Sequence, residues 1–474
     1  MKTILILFFI FYTTNSFEVN KKVLKILLIE INPILYSIRN TTLYKSNNGH
    51  PYVSEFLSHD RERALNEIIE DLEFGSHGQL KIDIVNHALL NEFPKYTTII
   101  DLPNGKSDYK FDEETYVSVT RSPTEDDKGI WFRFYHNKLY DAPGLFNFDY
   151  EYIIQKYNLV YLKNNKRFDH VWILGIDPLS TFETIMVGSD PYWINGTPIQ
   201  KDCKNFMIAA FTISRRDANL HALAHGIENL INYAFKGTYI KYNVQYNDYT
   251  QKDYEALSYW EKFTLIDNCS QGHNSGVGNV HFPFNGVSDY DYSNDNKVYS
   301  YWEDWLNYPN LNGTKSKSND KAWMTFPGNY EILKDSPQNQ DPDRLYMRFW
   351  LYLFPHIEGY TEDGFLNNWW DYYTNVDYVT KITKRKEIVG YIGEELELNY
   401  SIHYRSGEVE NVKYAKQDKN VQIRGSCIKF ENNKIIGAQI GLCSIVIYRD
   451  RKRLAFAVNI MESPNSFLFN FYSK

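Results

Sequence analysis

The chain has 474 residues, of which 43% are hydrophobic and 16% aromatic, and it carries a formal net charge of -8 at pH 7. This length predicts two or three domains, and the apolar content excludes a chain that is disordered throughout. The acidic balance and the lack of a long basic run argue against nucleic acid as a partner.

The first residues have the order of a secretory signal peptide. Lys2 supplies a positive charge, residues 4–12 are apolar, and residues 13–16 are small and polar. We therefore predict a signal peptide over residues 1–16 and a secreted, extracellular protein. A buried strand is the alternative for this run, which is far shorter than the ~20 residues of a membrane span. No other stretch predicts a transmembrane anchor.

Two further features agree with an extracellular environment. N-glycosylation sequons begin at Asn40, Asn195, Asn268, Asn312 and Asn399. The cysteines are Cys203, Cys269, Cys427 and Cys443. Three connectivities are open, and pairing within domains, Cys203 with Cys269 and Cys427 with Cys443, is the simplest disulfide arrangement.

The first section of the chain predicts an α/β unit. Residues 23–31 form an apolar, β-branched run typical of a buried strand, and residues 61–74 have helical periodicity that ends at Gly75. Residues 80–85 then return to a strand pattern. A strand, a helix and a strand in this order predict a mainly parallel sheet.

The second section begins near Asp149, where a subdivision of the body is possible. Residues 170–176 and 206–213 read as buried strands, and a helix that opens at Ser214 follows the second of them. This order brings the start of the helix to the carboxyl edge of the sheet, where sites of α/β proteins cluster. We predict an α/β body over residues 17–379, with a mixed sheet and a metalloprotease-like central helix.

The central helix has a polar stripe. At about 100° per residue, His221, His225, Glu228 and Asn232 fall within roughly 60° of one another, and the apolar residues occupy a separate arc between roughly 180° and 280°. Such a helix buries one flank and holds its stripe at the edge of the core. That position suits a metal or proton-transfer site, although a hydrogen-bonded structural stripe is the alternative.

The stripe suggests a metal site. His221 and His225 have the i, i+4 spacing with which two imidazoles bind one ion, and zinc is the first candidate. Because one straight helix cannot direct all of its polar residues at one ion, a further ligand is expected from His281 or His356. Both of these histidines lie beside proline in turn-like settings.

A base is also needed for hydrolytic chemistry. The HExxH motif of zinc proteases places Glu after the first His, but Ala222 occupies this position. We therefore expect Glu228 or Glu303 to act as the general base. Glu228 and His356 are the predicted catalytic residues, and His221, His225 and His281 the predicted metal ligands.

Two other groups of residues can bind ligands. Asp289, Asp291 and Asp295 alternate in a turn-like segment and predict a calcium site, with a solvated turn as the alternative. The tryptophans Trp302, Trp305, Trp323, Trp350, Trp369 and Trp370 can stack on sugar rings, although core packing fits the aromatic content better.

The last section predicts an all-β domain over residues 380–462, followed by a tail over residues 463–474. Short alternating strands are expected at 387–391, 396–403, 409–414, 421–423, 444–448 and 455–460. Residues 412–423 and 433–447, with a turn at Gly437 and Gly441, resemble a group 2 bacterial Ig-like domain. Tyr414 stands where that family usually has Trp. The resemblance implies a β-sandwich that acts as a spacer or adhesion module.

A second resemblance covers the body. Six segments are similar, in this order, to a group of uncharacterised secreted microbial proteins: residues 29–33 (IEINP), 221–228 (HALAHGIE), 278–285 (GNVHFPFN), 288–292 (SDYDY), 353–356 (LFPH) and 363–370 (DGFLNNWW). The resemblance implies that His225, Glu228, His281 and His356 share one cleft.

Two functions are therefore expected. The first is a metal-dependent hydrolase that acts on an extracellular peptide, protein or glycan. The second is a non-catalytic adhesion or matrix protein, in which the Trp-rich loops and the Ig-like domain bind a surface partner.

Overall fold

The fold is known from a computed structural model. It describes residues 21–35, 41–42, 51–101, 107–110, 113, 148–175, 181–213, 217–236, 257–266, 274–335, 341–361, 365–379, 387–396, 398–403, 409–414, 421–424, 427–431, 434–439, 441–449 and 452–461. The predicted signal peptide and the C-terminal tail lie outside these residues.

Helices occur mainly in the first 375 residues. They are α1 (Pro51–Gly75), α2 (Tyr150–Lys156), α3 (Leu159–Asn164), α4 (Asp217–Lys236), α5 (Tyr259–Thr264), α6 (Trp302–Trp305), α7 (Lys321–Met324), α8 (Pro327–Asp335), α9 (Pro342–Tyr352) and α10 (Trp370–Thr374). In the part of the chain that the structure describes, no helix has the length and apolar character needed to cross a membrane.

The strands of the body are β1 (Lys22–Ile31), β2 (Ile34–Leu35), β3 (Thr41–Thr42), β4 (Leu80–Leu90), β5 (Lys95–Asp101), β6 (Ser107–Lys110), β7 (His170–Gly175), β8 (Thr184–Gly188), β9 (Ile199–Gln200), β10 (Phe206–Thr212), β11 (Val298–Ser300), β12 (Ser316–Ser318), β13 (His356–Tyr360) and β14 (Leu366–Asn368). The later strands are β15 (Glu387–Tyr391), β16 (Leu398–His403), β17 (Val409–Tyr414), β18 (Val421–Arg424), β19 (Ile428–Glu431), β20 (Lys434–Gly437), β21 (Gly441–Arg449) and β22 (Lys452–Met461).

The body is built on a mixed sheet of six strands in the order β4-β1-β7-β10-β8-β9. The strands β4, β1, β7 and β10 are parallel, and β8 pairs antiparallel with β10. The predicted β1-α1-β4 unit is present and its strands are parallel. The sheet takes strands from both sides of residue 149.

Alternating side chains of the sheet serve two hydrophobic cores. On β1, Leu24, Ile26 and Leu28 belong to the core that α4 and α9 cover. Leu27 and Ile29 point to the opposite face and join the core that includes α2 and α3. A strand that is buried on both faces needs an apolar run rather than a polar alternation, as the sequence of β1 has.

Two elements are longer in the structure than the sequence predicts. The helix expected from residue 61 begins at Pro51, a residue that suits the first helical position because its missing N–H has no intrahelical partner. The strand expected to end at residue 85 continues to Leu90. The second half of β4 is largely exposed at the edge of the sheet, so its sequence carries little hydrophobic signal.

The helix α4 packs very closely on the sheet because of Gly226. A Cβ atom at this position would lie 2.8 Å from Thr184 Cγ2 and 2.9 Å from Met207 Sδ. Only a residue without a side chain allows this approach. Gly226 thereby fixes how far His225, the preceding residue, stands above β8 and β10.

The C-terminal section is all β in its described residues. A four-stranded sheet has the order β15-β22-β21-β18, and β16 pairs with β17. The strands predicted from the sequence are present, and the hairpin of β19 and β20 was not predicted.

The cysteine pairing differs from the expectation in one place. Cys203 is a buried free thiol, so the predicted bond to Cys269 is wrong. Cys427 takes part in a disulfide. The side chain of Cys443 lies outside the described residues, and its pairing with Cys427 stays a prediction.

Candidate metal centre

Two histidines on α4 provide the first part of the site. His221 and His225 lie one turn apart on the same face of the helix, and they are 4% and 5% exposed. Their Nε2 atoms are 3.0 Å apart. Asn219 exchanges two hydrogen bonds with the main chain of Thr212, which ties the start of α4 to the carboxyl end of β10.

The third histidine, His281, lies in the segment 274–297, and buried groups hold its loop. Glu228 Oε1 on α4 accepts a hydrogen bond of 3.1 Å from the Val280 N–H. The hydroxyl of Tyr292 donates to the Val280 carbonyl at 2.6 Å. Both peptide groups of Val280, the residue directly before His281, are therefore fixed.

The helix α9 holds the same loop from another direction. Trp350 Nε1 donates to the Gly278 carbonyl at 2.9 Å, and the Tyr346 hydroxyl lies 3.2 Å from the Asn279 carbonyl. Gly278 has a φ of 102°, and a Cβ there would lie 2.4 Å from the Phe282 carbonyl. The loop is thus shaped by a glycine and held by buried donors, which keeps His281 in one place.

The three histidines converge on one point. His281 Nε2 lies 3.1 Å from His225 Nε2, and the ligand nitrogens of His221, His225 and His281 are all within 4.8 Å of one another. Zinc–nitrogen bonds of about 2.0–2.1 Å at tetrahedral angles would place the nitrogens about 3.3–3.4 Å apart. Within the described part of the chain, no other set of three His, Cys, Asp or Glu side chains converges in this way.

Hydrogen bonding among the rings is a poorer explanation of this arrangement. A ring nitrogen carries either one proton or one lone pair, and His225 Nε2 faces two other ring nitrogens at 3.0 and 3.1 Å. One cation between the three nitrogens would accept all three lone pairs at once. The donor set therefore fits a transition metal that prefers nitrogen ligands.

Carboxylates orient two of the rings. His221 Nδ1 donates to Asp343 Oδ1 at 3.0 Å, and Asp343 lies in the first turn of α9. Asp289 Oδ1 lies 3.4 Å from His281 Nδ1. Such carboxylate–histidine pairs fix the tautomer that leaves Nε2 to the metal, and they make the ring a better ligand.

Another carboxyl group lies beside the cluster. Glu183, which directly precedes β8, has its Oε2 atom 3.7 Å from His225 Nε2, and its side chain is 40% exposed. The side-chain amide of Asn195 donates to the same oxygen. Asn195 begins one of the predicted sequons, so the nitrogen that a glycan would occupy is here directed to Glu183.

The environment sets the charge of the three rings. Burial, with the nearby His221 and His281, holds the pKa of His225 well below its usual value, and burial and His221 lower the pKa of His281 to about 3. Burial also acts to lower the pKa of His221, but the hydrogen bond and charge of Asp343 outweigh it and raise that pKa. Neutral His225 and His281 present lone pairs, as metal ligands must.

The structure brings together only some of the predicted catalytic residues. His281 joins His221 and His225, as expected. Glu228 is buried and accepts the Val280 N–H, so it holds the His281 loop, and its role as the base stays a prediction. Glu303 lies on α6, and the carboxylates that pair with the three histidines are Asp343, Glu183 and Asp289.

The expectation that His356 shares this cleft is wrong. Its ring stacks on His77 with centroids 3.6 Å apart, and Gln79, directly before β4, donates to its carbonyl. His356 therefore lies at the amino edge of the sheet, whereas the metal cluster is near the carboxyl edge. Phe235 follows His225 by ten residues on α4, which is about 15 Å along the helix axis. The ring of Phe235 stacks on that of Phe365, near β14.

The predicted calcium site is not formed either. Asp291 accepts from the Val287 N–H at 3.0 Å and from the Asn294 side chain at 2.6 Å, so it closes a turn. Asp289 faces His281, and the carboxylates of Asp289, Asp291 and Asp295 are no converging ligand set among the described residues. The alternative of a turn with Asp capping is the one observed.

The tryptophans pack in the core. Five of the six are buried, and Trp302 is half-buried. The buried ones are Trp305, Trp323, Trp350, Trp369 and Trp370. Their rings belong to the hydrophobic core, which removes them as a sugar-binding surface.

Three residues of the site were not predicted: Glu183, Tyr290 and Asp343. Tyr290 Oη lies 3.1 Å from His281 Nε2. Each comes from a different element and reaches the histidines only through tertiary packing. Asp343 could have been noticed as an acid in the first turn of a helix, and Tyr290 as part of the SDYDY segment.

Comparisons of the chain with protein-family models, with curated proteins and with solved structures found no match.

Proposed function

We propose that the body is a metal-dependent hydrolase that binds zinc through His221, His225 and His281 and acts on an extracellular peptide. The observation that carries the proposal is the convergence of three ring nitrogens, two of them on buried histidines, beside a partly exposed carboxylate. Three protein ligands leave a fourth zinc position for water, which is the pattern of catalytic rather than structural zinc.

The chemistry follows from this arrangement. Zinc held by the three histidines would lower the pKa of a water at its open position and would polarise the carbonyl of a scissile amide. Glu183, beside His225, would accept the proton of the water that attacks the carbonyl carbon. The bond to nitrogen then breaks, and the leaving amine takes the proton from Glu183, so that water is divided between an acid and an amine.

The proposal also accounts for the absence of Glu after His221. In the HExxH helix the base and two ligands share one helix, but Ala222 stands at the base position here. Glu183 enters from β8 instead and reaches the side of His225. The helix is therefore metalloprotease-like in its ligands and differs in the origin of its base.

The remaining expectations fit this function as proposals. A signal peptide would deliver the enzyme to extracellular peptides, and an Ig-like C-terminal module would attach or space it at a surface. The adhesion alternative loses support because the tryptophans that it required are buried. A glycan substrate remains the competing substrate class.

A pair of variants tests the role of Glu183. We expect Glu183→Gln to retain bound zinc but to lower kcat on a fluorescent-labelled casein by about 10²–10⁴-fold, the usual contribution of a general base. Glu303→Gln, which makes the same chemical change on α6, should keep wild-type activity.

Two results would contradict the proposal. The first is a zinc-loaded wild type that hydrolyses neither casein nor an N-acetylated oligosaccharide. The second is a Glu183→Gln variant with undiminished kcat.

A further inference from the structure

The SDYDY segment, residues 288–292, wraps around the histidine cluster instead of binding calcium. Asp289 faces His281, Asp291 closes the turn, and Tyr292 holds the Val280 carbonyl. The remaining member, Tyr290, is in contact with the proposed ligands themselves.

Tyr290 lies on the solvent side of the buried rings. Its side chain is 55% exposed, and its ring lies against those of His221 and His281, with centroids 5.3 and 4.6 Å away. Its hydroxyl is 3.1 Å from His281 Nε2, the nitrogen that also faces His225. The phenol oxygen is therefore at the point where the ligand atoms converge.

The main chain holds Tyr290 in this position. Its N–H donates to the His281 carbonyl at 2.9 Å, and its φ is 61°. A left-handed conformation is unfavourable for a bulky residue and is found where the surrounding structure imposes it. The backbone is thus tied to the ligand loop, while the exposed side chain can rotate without moving His281.

We propose that Tyr290 is an exchangeable fourth ligand, whose phenol oxygen holds, in the resting protein, the metal position that the attacking water takes once substrate enters. This inference rests on the metal site of the proposed function. As it coordinates, the phenol passes its proton to solvent. When substrate enters, the side chain rotates away, the phenolate takes a proton back from solvent, and the water that Glu183 activates enters the fourth position. The metal is protected from other ligands until then.

Copper replaces zinc as the probe in the test, because imidazole ligands also suit Cu(II) and a phenolate bound to it gives a charge-transfer band in visible light. The wild type loaded with copper should show this band. Tyr290→Phe should bind copper in the same stoichiometry but lack the band. Tyr299→Phe, which removes the hydroxyl of an exposed tyrosine on β11, should retain it.

A competitor tests the exchange without any variant. Saturating acetohydroxamate, a chelating mimic of a carbonyl substrate, should abolish the band of the wild type. If Tyr290 occupies the metal about 90% of the time, Tyr290→Phe should bind acetohydroxamate about 10-fold more tightly, because no internal ligand has to leave.

The outcomes separate the two proposals. Stoichiometric copper without the band in the wild type, or a band that Tyr290→Phe retains, would overturn the role of Tyr290 alone. A wild type that binds no copper or zinc would overturn both. A band together with an inactive zinc enzyme would leave Tyr290 as a ligand and refute only the hydrolase.

Discussion

Replacing Asp343 tests how much the carboxylate that hydrogen-bonds to His221 contributes to the metal affinity of the site. The bond from His221 Nδ1 to Asp343 Oδ1 is 3.0 Å long, and a hydrogen bond to a charged group contributes about 1.5–3 kcal/mol. Asp343→Ala removes the whole contribution, which corresponds to a zinc affinity about 13–160-fold lower at 1.36 kcal/mol per decade. In other metal sites, removing the carboxylate that accepts a hydrogen bond from a histidine ligand lowers the metal affinity about 10–100-fold.

Asp343→Asn should have a smaller effect. The amide oxygen can still accept the proton of His221, but a neutral bond has about half the strength of a charge-assisted one. We therefore expect a loss of about 0.8–1.5 kcal/mol, or about 4–13-fold in affinity.

The measurement is a competition titration of zinc against a chelator of known affinity. Asp341→Asn is the matched control, because it makes the same charge change two residues away, at the N-cap of α9, where Asn caps as well as Asp. A zinc affinity of Asp343→Ala within twofold of the wild type would refute the reasoning.

Two further predictions concern packing and pH. Gly226→Ala adds a Cβ 2.8 Å from Thr184 Cγ2, which costs about 1–3 kcal/mol of overpacking against a gain of up to about 1 kcal/mol in helix propensity. Urea unfolding should therefore show up to about 2 kcal/mol lower stability together with weaker zinc binding, and unchanged zinc affinity would contradict the role of Gly226. Burial and His356 lower the pKa of His77 to about 4, so the unfolded chain takes up a proton first, and the stability present above pH 6.5 is lost as the pH falls towards 4. His77→Asn should unfold at urea midpoints that differ less between pH 7 and pH 5 than those of the wild type, and an equal difference would contradict this cause.

Hydrophobic periodicity predicted the fold elements that are buried on a continuous face. The strands β1, β7 and β10 are apolar runs because both of their faces are covered, and α4 separates its polar and apolar arcs. The same signal is missing from the second half of β4, whose residues are mostly exposed. The pattern reports burial, so it finds the elements only where burial is regular.

The candidate site was predicted as far as one helix face determines it. The spacing of His221 and His225 follows from the helical period, but Glu183 and Asp343 reach these rings from β8 and α9. No local pattern relates residues that meet only through packing. His281 and His356 had equal sequence support, and the topology of the sheet separates them.

The metal content of the purified, dialysed protein, measured by elemental mass spectrometry, tests the central claim most directly. We predict near-stoichiometric zinc or another transition metal in the wild type and in His356→Ala, and its loss in the His221→Ala/His225→Ala double variant. A wild type without bound metal, beside a double variant that is folded and only less stable, would contradict the account and mark the three histidines as a structural cluster.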